Sequence, residues 1–344
     1  GFYCEFGEDD PELAFARQIG ERLNANLFVA RMETGDAIGV LDDVVRLTDH
    51  PFSDFSSLPI TFMLKYAKER MEGTASLVEC NGGDDCFGFP DLLNESKYAL
   101  KHRFPGALTR PVAALLRGTG YWKWSTHEGL PARLAALADT HEQRVLDYFL
   151  VLAPMRYLGL KGDYDRELSA TMEEIFAACG EGYHELGYEG KTTVRQLMHV
   201  NSRRWAAKAL SVGESLGIRV VYPFLWREVL VEQGKIPWAA KVRNGVVKWP
   251  LKRLLEEYMP ESFIYRRKSG FVPPFAVWLS DPAFNRKVKG VLLDRDAEVC
   301  RVVPRATLEE LLNDAAEGRP LRHAILNFLW GALFLEMWLA KHRP

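Results

Sequence analysis

Two carboxylates directly after a pair of glycines are the sharpest chemical signal in this sequence. They lie in Glu79-Cys80-Asn81-Gly82-Gly83-Asp84-Asp85-Cys86-Phe87-Gly88, entered from Ala75-Ser76-Leu77-Val78, which reads as a buried strand. In a parallel sheet, ligands bind beyond the carboxyl ends of the strands. Glycines there let the backbone approach a ligand closely. Adjacent carboxylates can hold Mg²⁺ on a phosphate, because that ion takes one or two carboxylates plus phosphate oxygens. The same residues also describe a solvated turn whose acids cap the next helix.

A second signal is Tyr265-Arg266-Arg267-Lys268-Ser269-Gly270-Phe271, followed by Pro273-Pro274. A basic triplet usually forms a solvated face. This one lies between Phe263-Ile264-Tyr265 and Phe271-Val272, so the neighbouring chain is expected to pack. A lysine held that way can neutralise a polyphosphate leaving group. Other chemistries lack their patterns. The 8 histidines form no H-E-x-x-H, and the lone Gly118-x-Gly120 is no dinucleotide fingerprint. No G-x-S-x-G elbow supports a serine hydrolase. The 5 cysteines, Cys4, Cys80, Cys86, Cys179 and Cys300, are odd in number, widely spaced and without C-x-x-C. They suggest neither a disulfide framework nor a zinc site, and fit a reducing cytoplasmic setting.

The elements that must position these residues follow from local pattern. Phe2 to Phe6 reads as a strand. Asp10-Pro11 opens a helix, with Asp as N-cap and Pro at the first position, and Leu13, Ala16, Ile19 and Leu23 form its apolar face. Leu27 to Ala30 is a second strand, and this strand–helix–strand order predicts a parallel sheet. Helices are expected over Asp36 to Leu47, from Ser56-Ser57 onward to near Gly73, through most of 90–212, over Lys252 to Tyr258, and from Thr307 to the end. Val220 to Leu225 reads as a further strand.

Composition sets the outer limits. At about 150 residues per domain, 344 residues make two domains or one large α/β unit. Hydrophobic residues at 47% and charged residues at 26% exclude a disordered chain. The net charge is −2, from 44 basic and 46 acidic residues, so no field for nucleic acid or an anionic membrane is expected. Asn327 and Glu336 interrupt the apolar stretch from Ala324 to Ala340, which argues against a membrane span. Gly1-Phe2-Tyr3-Cys4 has neither Met nor a basic leader, and reads as the interior of a longer polypeptide.

Taken in order, these pieces resemble the synthetase domain of glutamine-dependent asparagine synthetases and their ATP-pyrophosphatase relatives. Asp49, Pro51, Phe52 and Asp54 match that family's Asp-Glu-Pro-Phe-x-Asp. Gly82, Gly83, Asp84, Phe87 and Gly88 match its Ser-Gly-x-Gly-Gly-Asp-Glu-x-Phe-Gly. Tyr222-Pro223-Phe224-Leu225 near Arg219 echoes Arg-x-Pro-Phe-Leu-Asp. Lys248, Met259-Pro260, Arg266, Lys268, Gly270, Phe271 and Pro274 match its later lysine–glycine run. Leu329, Trp330, Leu335, Glu336 and Trp338 match its terminal helix.

The resemblance implies an α/β fold of the adenine-nucleotide hydrolase type: a parallel sheet with flanking helices and a helical C-terminal half. Residues 1–92 would form the nucleotide-binding part and 93–344 its mainly helical continuation, with a site segment at 219–274. The first strand, with its Ser-Gly-Gly-x-Asp-Ser-Ser phosphate loop, and a glutaminase domain would precede Gly1, which leaves the isolated chain inactive. The implied chemistry is ATP-dependent, AMP-forming amide synthesis: a carboxylate such as aspartate is adenylated, and ammonia from glutamine displaces AMP. The implied roles are Asp84 and Asp85 on Mg²⁺, Lys268 and Asp84 in catalysis, and Cys4, Glu5, Glu79, Cys80, Gly82, Gly83 and Lys248 around ATP. Four positions depart from the pattern. Asn81 stands where relatives often carry an acid, Trp226 replaces an Asp, His50 a Glu, and Glu79 a Ser. These departures leave open an amide ligase for another carboxylate (a peptide, sugar acid or metabolite) or a non-catalytic binding descendant.

Overall fold

The computed structural model describes residues 1–7, 10–71, 76–88, 180–186, 205–266 and 270–342, with scattered residues between 111 and 198. Cys179, Lys268, the Gly118–Gly120 loop and most of the helical expectation over 90–212 lie outside the described residues. The chain forms two compact units.

The first unit holds Gly1–Asp49, Ser56–Glu95 and Cys179–Pro273. Strand β1 (Phe2–Glu5) is followed by helix α1 (Pro11–Arg22) and strand β2 (Phe28–Arg31). β1 and β2 pair in parallel, with Cys4 opposite Ala30. Asp10 caps α1 by accepting the Glu12 N–H at 3.0 Å, and Pro11 occupies the first turn, where no N–H is needed. Helix α2 (Thr34–Leu47) buries Ala37, Val40, Leu41, Val44 and Val45, the i, i+3, i+4, i+7, i+8 stripe of an amphipathic helix. Helix α3 (Ser57–Lys68) follows. Strand β3 (Ser76–Val78) then leads into the short helix α4 (Gly83–Phe87).

Helix α5 (Ala206–Ser215) and strand β4 (Arg219–Val221) complete the second parallel pair, β3 with β4. Leu47, Ile60, Leu64, Ala206, Ala209, Val212, Ile218 and Tyr222 form one core beneath it. The strand expected over 220–225 stops at Val221. Pro223 cannot donate to a ladder, and Pro223–Leu225 coils into a 3-10 turn. Among the described residues no ladder joins β1–β2 to β3–β4. Helices α6 (Arg227–Gly234), α7 (Trp238–Lys241), α8 (Trp249–Leu255) and α9 (Glu261–Ile264) follow. α8 starts three residues before the expected Lys252, because Pro250 fits a first helical turn.

The second unit contains His50–Phe55 and Pro274–Pro344 as well as Ser96–Ala178. Helices α10 (Phe275–Ser280), α11 (Pro282–Leu292) and α12 (Val299–Val302) lie where no helix was expected, ahead of α13 (Arg305–Ala316) and α14 (His323–His342). Asp281-Pro282 repeats the start signal of Asp10-Pro11: the Asp281 carboxylate accepts from the Ala283 and Phe284 amides at 2.8 and 3.0 Å. Phe275 is central to this core, stacked on Phe55 at 5.1 Å and edge-on to Trp330 at 5.9 Å. No helix among the described residues is long and apolar enough to cross a membrane.

Candidate active site at the carboxyl ends of β3 and β4

The β3–β4 ladder continues one residue past β3, where the Glu79 N–H donates to Val221 O at 2.9 Å. The chain then turns through Asn81 and Gly82 into α4. Gly82 has φ +96°, and a Cβ there would lie 2.6 Å from Leu225 Cδ2. A Cβ on Gly83 would lie 3.3 Å from the Phe224 ring. The two glycines thus admit the Pro223–Leu225 turn against α4. The Cys86 thiol fastens the same contact by donating to Phe224 O at 3.5 Å.

This packing sets Asp84 on the first turn of α4, part-buried, while Asp85 is only 3% exposed. Asp84 Oδ1 is sealed from water and makes an ion pair with Lys248 Nζ, without the alignment of a hydrogen bond. A two-residue hairpin delivers Lys248. Arg243 and Val246 exchange backbone hydrogen bonds at 3.0 and 2.9 Å around Asn244-Gly245, both at positive φ, the residues a tight hairpin turn prefers. The Lys248 N–H then donates to Phe87 O at 3.1 Å, anchoring the lysine to the end of α4. The Asn-Gly pair was the local sequence signal for this arm.

Behind the turn lies a polar group that the sequence reading did not assemble. Asn81 Nδ2 donates to Glu79 Oε1 at 2.6 Å. Burial raises the Glu79 carboxyl above its ordinary value, opposed in part by the positive charge of Lys208. Tyr222 has one proton, and the geometry gives it to Ala206 O at 3.1 Å, leaving Glu79 Oε2 sealed and without a hydrogen bond. Burial and the Glu79 charge together push the Tyr222 hydroxyl far above its ordinary range. Lys208 is buried and donates to the Ser56 hydroxyl.

Other expected positions lie elsewhere in the unit. Cys4 and Glu5 are buried on β1. Burial pushes the Cys4 thiol up to about 12, and Glu5 pairs with Arg31 at 3.0 Å. Cys80 is exposed beside Glu79. Both described flanks of Lys268 tie to the β1–α1 region. Arg266 grips Glu12 through two hydrogen bonds of 2.6 Å and lies 4.0 Å over the Phe15 ring. Phe271 packs on Phe6 at 5.5 Å.

Comparison with known proteins decides the family. The asparagine synthase family model matches residues 1–340. The chain belongs to the asparagine synthase family. A Mycobacterium bovis protein named as a glutamine-hydrolysing asparagine synthetase is 26% identical over 364 residues, covering 98% of this chain and 50% of that protein. A Bacillus subtilis protein named glutamine-hydrolysing asparagine synthetase 1 is 24% identical over 315 residues, covering 86% of this chain and 46% of that protein. The chain thus spans about half the length of these asparagine synthase relatives. Its small parallel sheets and helical C-terminal half are those of an α/β synthetase domain.

Proposed function

We propose that this domain carries out ATP-dependent amide synthesis. A carboxylate oxygen attacks the α-phosphorus of ATP, giving an acyl-adenylate and pyrophosphate. Ammonia then attacks the acyl carbon, AMP leaves, and an amide remains. The observation that carries the reading is the Asp84–Lys248 pair beyond the carboxyl ends of β3 and β4, in a chain of this family. An ATP site needs a cation and a carboxylate that can exchange each other for phosphate and Mg²⁺.

The donor set fits Mg²⁺ through Asp84: its Oδ1 is held by an ion pair alone. Asp84 would hold the ion, whose positive charge would offset the negative charge of the phosphates. Asp85, turned into the fold, would support α4 rather than ligate. Lys248 would pass from Asp84 to a phosphate oxygen, and Lys268 would oppose charge on the departing pyrophosphate. Residues at Cys4, Glu5, Glu79 and Cys80 would border the nucleotide with Gly82 and Gly83. Glutamine hydrolysed in another domain would supply ammonia, in the cytoplasm.

ATP–pyrophosphate exchange in the natural full-length protein tests the reading. Exchange that depends on an added carboxylate is expected. No exchange with any amino acid or small carboxylic acid would overturn it. A second reading, adenylation of a carboxylate other than aspartate, is favoured by Trp226. This indole is 54% exposed where the family pattern has an aspartate.

A further inference from the structure

Helix α8 packs on α4 and carries a second cation that the reading above leaves unused. Lys252 stands one turn on from Lys248, its N–H donating to Lys248 O at 3.0 Å. On a helix that spacing sets two side chains side by side, about 5–6 Å apart at Cβ. Lys252 is part-buried, and its Nζ lies 5.2 Å from the centre of the Tyr265 ring. Among the described residues no carboxylate pairs with it. Glu256, one turn further along, is the acid whose spacing fits. Its oxygens are taken, one by Arg253 and the other by the Tyr265 hydroxyl, which donates at 2.6 Å. Burial and then the charge of Lys248 both press Lys252 toward its neutral form. The carboxylate nearest the pair, Asp84, is bound to Lys248. A part-buried cation without a counter-charge is costly, and a ligand that supplies one removes the cost. The Lys248 backbone lies at φ +57°, a left-handed conformation that is unfavourable for a non-glycine residue. Packing, rather than local preference, therefore holds the two lysines together.

We propose that Lys252 is a phosphate-binding residue: with Lys248 it clamps the pyrophosphoryl end of ATP, the part that leaves on adenylation. The proposal rests on the amide-synthesis reading. An ammonium has three N–H donors and no acceptor, so it meets phosphate oxygens only by donating. In the free protein Asp84 answers Lys248, and no acid among the described residues answers Lys252. Once Asp84 turns to Mg²⁺, both lysines need a counter-charge, and one polyphosphate supplies it to both. Such charge-assisted hydrogen bonds are the strong ones. The clamp acts on ATP and on pyrophosphate. It leaves AMP untouched, because AMP lacks the two phosphates that the lysines would hold.

The test measures binding of inorganic pyrophosphate with Mg²⁺, and separately of AMP, to the natural full-length protein by calorimetry. Lys252→Met keeps an unbranched apolar stem on the Tyr265 ring and removes the charge. It should raise the Kd of pyrophosphate about fivefold or more and leave that of AMP within about twofold. Lys252→Arg, which restores a cation, should bind pyrophosphate more tightly than Lys252→Met does. A smaller rise for pyrophosphate in Lys252→Met overturns the proposal. An equal loss for pyrophosphate and AMP also overturns it, since that pattern marks a structural role. So does a loss in Lys252→Arg as large as in Lys252→Met, since charge would then not be what binds. Should Lys252→Met fail to fold, Lys252→Gln is read in the same way. Wild-type protein that binds neither ATP nor pyrophosphate removes the amide-synthesis reading, whereas pyrophosphate binding unmoved by Lys252→Met removes this proposal alone.

Discussion

Glu79 is a part-buried carboxyl held by one amide, so its charge state bears on the stability of this fold. Burial favours its neutral form, so the folded chain keeps the proton to higher pH than the unfolded chain does. The stability Glu79 contributes is complete below its unfolded-chain value and declines as pH rises through its raised folded value. Replacing it with glutamine should remove that decline. Urea midpoints at about pH 5 and about pH 8 should fall further apart in the wild type than in Glu79→Gln. Equal spacing in the two proteins would show that burial does not disfavour the charge. At the phosphate end, Lys268→Ala should slow pyrophosphate exchange in the full-length protein by about 10²–10³-fold, the cost of one preorganised charge on a developing anion. Circular dichroism should be unchanged. Asp84→Asn should behave similarly, with partial rescue by excess Mg²⁺. A loss below about threefold in Lys268→Ala would return that lysine to a solvated face.

Short elements set the site's geometry through backbone constraints. Gly82 holds a left-handed turn and leaves 2.6 Å between a would-be Cβ and Leu225. Gly82→Ala combines overpacking with a disfavoured backbone, and should destabilise the protein by about 1–3 kcal/mol in urea unfolding. A neutral effect would mean that the Pro223–Leu225 turn can move aside. Arg266 joins the segment after α9 to α1 by a two-pronged grip on Glu12, with both side chains largely buried. Breaking either partner strands the other. Arg266→Met, Glu12→Gln and their double variant should therefore show a coupling energy of about 2 kcal/mol. Additive losses would show that stacking on Phe15 and Phe263, rather than the ion pair, holds the segment.

For the whole molecule, each unit has a core of its own: Leu64, Val212 and Ile218 among others in the first, Phe275, Trp278, Phe284 and Trp330 in the second. The first unit carries all of the candidate ATP residues. The acyl substrate is the open quantity at this scale. Trp is larger and less polar than Asp, so Trp226 cannot offer a carboxylate to an ammonium group. Pyrophosphate release from a panel of amino acids and small carboxylic acids should therefore rank free aspartate below the best substrate. Aspartate with ammonia as the best pair by a wide margin would mean that Trp226 and Asn81 leave the family's usual substrate in place.

Local chemistry was legible before any fold was known. Asp10-Pro11 announced α1, the Ala37–Val45 stripe announced α2, and the order of motifs announced the family. These signals depend on neighbours in sequence, such as caps and helical periodicity, or on motif order along the chain. Asp281-Pro282 carries the same start signal, and the 11-residue α11 that follows it lies between the short α10 and α12. What only the tertiary structure decided were meetings across long separations. Asp84 meets Lys248, Asn244-Gly245 having built the arm between α7 and α8. Phe224 and Leu225 pack on Gly82 and Gly83, so these glycines admit protein as well as any ligand. Glu79 lies against Tyr222 and Lys208 because β3 and β4 pair in parallel with α5 packed beside them. Such contacts follow from strand register and helix packing, which no window of local sequence contains.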